Sequence, residues 1–352
     1  MKPEFDINIL LRENIKNLVP YSSARDEYKG KEGIFLDANE NSYGSPLDQN
    51  YNRYPDPLQL AVKEKLGKIK GLPVENIFLG NGSDEAIDIL FRAFCRPGID
   101  NAIICPPTYG MYEVAANIND VEVRKVNLTP EEFQLDVEGI KKAIDKNTKL
   151  LFICCPNNPT GNAVKWKDLK SILENFDGLV IADEAYINFA SYRSLIPELL
   201  NYPNLVILQT LSKAWGLAGL RIGMAFASQQ IIDVFNKVKA PYNVNVVSQE
   251  LALTSLNNVE RVNSWIRTIV AERSKLSKEL EKFNFVKKVY PSEANFFLVK
   301  VTDPSELYNY LVQNQVVVRD RSKVALCEGC LRITIGTEEE NKKLVAILNS
   351  YK

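Results

Sequence analysis

Between residues 77 and 227 the chain repeats one pattern: a short apolar run, a polar or glycine-rich turn, then an amphipathic stretch. The runs are IFLG (77–80), AIIC (102–105), LLFICC (150–155), LVIAD (179–183), LVILQ (205–209) and IGMAFA (222–227). Most lack polar alternation, which predicts strands buried on both faces and therefore an α/β sheet covered by helices. Ser83 and Asp84 open a stretch that places Ile87, Leu90, Phe91 and Phe94 at i, i+3, i+4 and i+7 and stops before Pro97-Gly98, the signature of a helix with one buried stripe.

After about residue 245 the pattern changes. A long charged amphipathic helix, RVNSWIRTIVAERSKLSKELEKF, precedes short strands near NFFLVKV, VVVRD and LRITIG with a helix between, which reads as a smaller α+β unit. The expected division is an N-terminal segment, 1–35, too short to fold alone and packing with the small domain; a large domain, 36–245; and a small C-terminal α+β domain, 246–352. No internal repeat or low-complexity segment interrupts this plan.

Length agrees, since 352 residues correspond to about two domains and suffice for a core that needs no disulfide or metal. The 43 Lys and Arg against 44 Asp and Glu give a net charge of -1, which offers no field for nucleic acid or an anionic membrane; small molecules are the expected partners. No apolar run approaches the roughly 18 residues of a membrane span, and MKPEFDINILLRENIKNL lacks the form of a cleaved export signal. Several of the six cysteines sit in apolar, strand-like runs, so a reducing cytoplasm is the expected location. Histidine is absent, which excludes Ser-His-Asp hydrolysis, Cys-His proteolysis and every His-ligated metal site. Cys327 and Cys330 form a single CxxC without a second pair, so no metal is expected. Lysine is then the natural group to move protons, because burial or a neighbouring cation lowers its pKa and imine formation gives it a second role.

Lys213, in TLSKAWGLAGLRIG, follows the run LVILQ directly, and ligands of open α/β sheets collect at the carboxyl ends of strands. Asp183 ends LVIAD, with Tyr186 in the turn beyond; the carboxylate either caps the next helix or faces a cationic ring nitrogen. Asn158, in LLFICCPNNPTG, lies in a tight turn from which its amide, like the Tyr186 hydroxyl, is able to donate to a phenolate oxygen. GNGSDE (80–85) runs from a strand into a helix, either as an ordinary capped turn or as a phosphate cradle to which Ser212 and Arg221 add donors.

These motifs, with LDANENSYGSP (36–46), RYPDP (53–57), PPTYGMY (106–112), VVVRD and LRITIGT in the same order, resemble the fold type I, aspartate-aminotransferase-like pyridoxal-phosphate enzymes over essentially the whole chain. Within that superfamily the pattern is similar to the histidinol-phosphate aminotransferase family. The resemblance implies pyridoxal 5'-phosphate as cofactor, carried by Lys213, with Asp183 on the ring nitrogen and Asn158 and Tyr186 on the ring oxygen. It further implies Tyr109 stacked on the ring, and Gly82, Ser83, Asp84, Ser212 and Arg221 around the phosphate. Tyr54 would reach that phosphate from the second subunit of a homodimer with shared sites. Arg332 would take the substrate carboxylate, Tyr21 and Arg319 the substrate phosphate, and Asn39 joins the substrate-binding set. The implied reaction passes the amino group of histidinol phosphate to 2-oxoglutarate in histidine biosynthesis. Ser42 departs from the family, which has proline there. Threonine-phosphate decarboxylases and aromatic amino-acid aminotransferases are the rival activities, the first recognisable by release of carbon dioxide.

Overall fold

The computed structural model describes residues 5–21 and 33–351. Its centre is a seven-stranded sheet: β1 (Ile77–Asn81), β2 (Asn101–Ile104), β3 (Glu122–Lys125), β4 (Thr148–Cys154), β5 (Leu179–Asp183), β6 (Leu205–Thr210) and β7 (Ile222–Phe226), in the order β1-β7-β6-β5-β4-β2-β3. All six apolar runs are strands of this sheet. Neighbours from β6 through β3 pair parallel, whereas β7 is antiparallel to both β6 and β1. The two reversals restore direction, so β1 ends at the same edge as β4, β5 and β6, and β7 begins there. The turns that follow β1, β4, β5 and β6 thus meet at one edge.

Both faces of the sheet are buried. Successive residues alternate between two apolar layers: Leu151, Ile153, Val180, Ala182 and Ile207 face one, and Leu150, Phe152, Leu179, Ile181 and Leu208 the other. The helix Gly82–Phe94 covers the second layer with Ile87, Leu90, Phe91 and Phe94 and ends at Cys95, just before Pro97-Gly98.

A second sheet, of β8 (Val286–Val289), β9 (Phe296–Val301), β10 (Arg319–Asp320) and β11 (Cys330–Thr334), runs β10-β11-β9-β8 and is antiparallel throughout. Leu331, Ile333, Phe297 and Val299 point into a core closed by the helices Val259–Leu280, Pro304–Gln313 and Glu338–Asn349. β3 and β8 carry no apolar run: EVRK and VKKV are edge strands with mostly half-exposed or exposed side chains.

One expectation is corrected. The described N-terminal residues pack against the large sheet's helices rather than the small domain: Ile7, Leu10 and Ile15 join the layer beneath Gly82–Phe94, and the Arg12 amide and guanidinium donate to the carbonyls of Ala93 and Arg92. The end of that helix leaves apolar surface and free carbonyls to cover, while the small core is already closed by its own three helices. Among the described residues no helix is long and apolar enough to cross a membrane. All six cysteines are buried and unbridged.

Candidate active site

The edge where the turns meet holds a cleft lined by Gly82, Ser83, Asp84, Tyr109, Cys154, Asn158, Asp183, Ala185, Tyr186, Thr210, Ser212, Lys213, Ala218 and Arg221. Ten residues singled out from the sequence are in that lining. Register explains much of this: Asp183, the last residue of β5, stands between Cys154 of β4 and Leu208 of β6. The loop after β6 is pinned at both ends, Leu211 donating to the Ile222 carbonyl and Leu217 to that of Leu211, which presents Lys213 at its crest.

Asp183 is almost fully buried, at 3% exposure. Burial pushes its carboxyl above the ordinary 3.8; the Tyr112 hydroxyl, donating to Oδ2 at 2.6 Å, and the Ala185 amide, donating to Oδ1 at 3.1 Å, pull it back only in part. A buried carboxylate with this little compensation calls for a cation in front of it. Tyr112 is the contact that sequence reasoning passed over. Its ring stacks on Phe152 with centroids 4.8 Å apart, and its place three residues after Tyr109 in PPTYGMY was the available signal.

Lys213 Nζ lies 5.6 Å from the centre of the Tyr186 ring. Its pKa is lowered, first by burial of the amine and then by the positive charge of Arg332. The Asn158 amide faces the Tyr186 hydroxyl at 3.4 Å, and Arg332 Nη1 donates to Asn158 Oδ1 at 2.5 Å, which brings Arg332 to the rim. Opposite them the helix Gly82–Phe94 begins. Its first amides have no acceptor within the helix, the Tyr109 hydroxyl donates to Asp84 at 3.1 Å, and Arg221 sits 3.5 Å from Asp84. Arg221 itself adopts the left-handed region, φ 56°, at the turn into β7.

The remaining predicted residues lie outside this lining. Tyr54 is exposed and stacks on Tyr242 at 4.4 Å, Tyr21 is exposed, and Asn39 sits in a turn at φ 54°. Arg319 is exposed and lies directly across the β10–β11 ladder from Arg332.

An amine of lowered pKa, a buried carboxylate awaiting a cation and a helix start flanked by an arginine form a site for a dianionic, ring-shaped cofactor. Sequence comparison agrees: the chain belongs to the class I and II aminotransferase family, whose profile matches residues 32–348. It is 54% identical to the histidinol-phosphate aminotransferase of Cytophaga hutchinsonii over 99% of both chains, and so groups with those enzymes. Among solved structures it resembles the histidinol-phosphate aminotransferase of Clostridium acetobutylicum, with a TM-score of 0.78 and 26% identity over 85% of this chain and 90% of that one. L-threonine-O-3-phosphate decarboxylase from Porphyromonas gingivalis shares the fold at a TM-score of 0.73 and 23% identity, covering 86% of this chain and 91% of that one. The fold alone therefore does not choose which bond is broken. The protein is an aminotransferase, its cofactor is pyridoxal phosphate, and the groups of the cleft fit that molecule: donor amides and Arg221 for its phosphate, the accepting carboxylate of Asp183 for its ring nitrogen and the Lys213 amine for its carbonyl carbon.

Proposed function

We propose that this enzyme transfers the amino group of histidinol phosphate to 2-oxoglutarate, giving imidazole-acetol phosphate and glutamate in histidine biosynthesis. The observation that carries the reading is the pairing of Lys213 with buried Asp183 across one cleft, in a chain 54% identical to a histidinol-phosphate aminotransferase. Lys213 would hold the cofactor through its amine and would be freed when the substrate amine takes its place. Its freed amine, at a lowered pKa, takes the proton from the substrate α-carbon. Pyridoxal phosphate, when bound, supplies the electron sink for the pair that proton leaves behind. Asp183 keeps the ring nitrogen protonated, and Tyr112 and Ala185 fix the direction of its carboxylate. Asn158 and Tyr186 would donate to the ring oxygen, and Tyr109 would stack on the ring. Ser83 and Asp84 amides, the Gly82 turn, Ser212 and Arg221 hold the cofactor phosphate. Arg332 binds the substrate's anionic group, with Arg319, Tyr21 and Asn39 toward its far end.

The domain limits at residues 35 and 245, a cytoplasmic location that keeps the cysteines reduced, and a homodimer in which Tyr54 serves the neighbouring site belong to the same reading. Transamination by the purified protein should be measured with histidinol phosphate, phenylalanine, tyrosine and threonine phosphate, with 2-oxoglutarate as acceptor. Histidinol phosphate should be the preferred donor, without carbon dioxide release, and Lys213→Ala should fold yet lose turnover altogether. A preference for phenylalanine, or retained activity in Lys213→Ala, would overturn the reading.

A further inference from the structure

The segment VVVRDRSK carries a second arginine, Arg321, two residues beyond Arg319. Arg319 pairs across the ladder with Arg332 and Asp320 with Leu331, and the Arg321 amide extends the ladder by donating to the Cys330 carbonyl at 3.0 Å. Side chains alternate along a strand. Leu331 points into the small core, so Arg332 and Cys330, and opposite them Arg319 and Arg321, share the other face, the one turned toward the large domain. Asp320 is on the Leu331 side, where its carboxylate accepts from the Ser322 amide at 2.7 Å.

Arg332 therefore reaches Asn158, Arg321 acts with it on Tyr186, and Arg319 stands across the ladder from Arg332 on the same face. Among the described residues no carboxylate lies in ion-pair contact with Arg319, Arg321 or Arg332. Arg321 Nε is buried without a hydrogen-bond partner. Burial lowers the Arg321 pKa, and the positive charges of Arg332 and then Arg319 lower it further. A buried guanidinium nitrogen without a partner, beside two like charges, is costly until an anion enters. A phosphate dianion concentrates on one group the two negative charges that glutamate divides between two carboxylates, so a third guanidinium beside the first two favours the phosphate.

We propose that Arg321 is a specificity-determining residue that makes this end of the cleft select a doubly charged phosphate over a carboxylate. The assignment rests on the reading of the substrate as a phosphate ester and deepens it.

The test uses the cofactor-loaded enzyme and the variants Arg321→Gln and Arg321→Lys. Steady-state rates on histidinol phosphate, the half-reaction with glutamate followed by cofactor absorbance, and inhibition of that half-reaction by inorganic phosphate are measured for each. Arg321→Gln should raise KM for histidinol phosphate by roughly 10- to 100-fold with a much smaller change in kcat, and weaken phosphate inhibition by a similar factor. Glutamate turnover should stay within about threefold. In wild type, KM for the ester should fall as pH rises through about 6, where a phosphate monoester takes its second charge. That slope should flatten in Arg321→Gln, with Arg321→Lys between the two. Equal losses on both donors, or phosphate inhibition unchanged by Arg321→Gln, would overturn the proposal and assign Arg321 to support of the 327–330 turn. If wild type ignores histidinol phosphate yet phosphate inhibits it and not Arg321→Gln, the anion role stands and the substrate reading fails.

Discussion

Asp183 costs the free protein stability for the sake of its ligand. Its pKa is raised by burial above the 3.8 of an ordinary aspartate, so the folded state favours the protonated form. Below 3.8 both folded and unfolded chains hold the proton and no cost exists. As pH rises from 3.8 toward the folded value the cost grows, and above the folded value it is complete. Asn has the same shape, still accepts from the Ala185 amide and carries no charge. Cofactor-free Asp183→Asn should therefore melt at a higher temperature than wild type at pH values above the raised folded pKa, and the difference should shrink to nothing as pH falls toward 3.8. The cofactor-loaded variant should lose roughly 100-fold or more in turnover, because a preorganised charge is gone from the site. Melting curves that coincide at all pH values would show that Asp183 is not strained. Asp183 and Lys213 were legible in the sequence because each terminates or follows an apolar run, where sheet topology puts ligands. Tyr112 was not, since a tyrosine on the buried side of a helix has the same pattern whether it fills a core or orients a carboxylate.

The strand β7 and the start of the helix Gly82–Phe94 meet backbone to backbone. A Cβ at Gly223 would lie 2.1 Å from the Gly82 carbonyl carbon and from the Ser83 nitrogen, closer than any real contact. Gly82 is itself at φ +72°, and its amide donates to the Arg221 carbonyl at 2.8 Å. Gly223 thereby sets how near the helix amides come to Arg221, and with them the shape of the anion cradle. Gly223→Ala must push the two elements apart, at a cost of about 1–3 kcal/mol or more. Pyridoxal phosphate affinity, titrated by absorbance, should fall about tenfold or more. Gly219→Ala, where an added Cβ meets nothing within 4 Å, should leave it unchanged. Equal affinity in both variants would show that the close approach does not shape the cradle. The sequence revealed Gly223 as part of a motif but not its partner, because the contact joins residues far apart in the chain. Likewise β3 and β8 escaped detection: at a sheet edge, EVRK and VKKV need no apolar face to be strands.

At the scale of the whole molecule, five of the residues that the family resemblance assigns to the site lie outside the lining of one chain's cleft, one of them, Arg332, at its rim. Tyr54, Tyr21 and Asn39 stand away from the lining, and Arg319 stands exposed beside it. Tyr54 is held from behind, its ring stacked on Tyr242 and its amide donating to Glu40 at 2.7 Å, while the ring stays half exposed. A rigidly supported but exposed aromatic is suited to reach outward into a partner, and two-fold symmetry would then complete both sites at once. No single-chain pattern could have revealed this, because periodicity and spacing report on what one chain buries. Mixing provides the measurement. Lys213→Ala and Tyr54→Phe subunits, unfolded together and refolded, should form heterodimers in which one site has lost both groups and the other has kept both. Random assortment makes about half of the dimers mixed, so the pool should regain roughly a quarter of the wild-type sites, well above the separately refolded variants. If Tyr54 instead serves its own chain, every heterodimer site lacks one group, and the mixture will show only the average of the two inactive preparations. Sedimentation of the wild type as an active monomer would exclude the shared site directly.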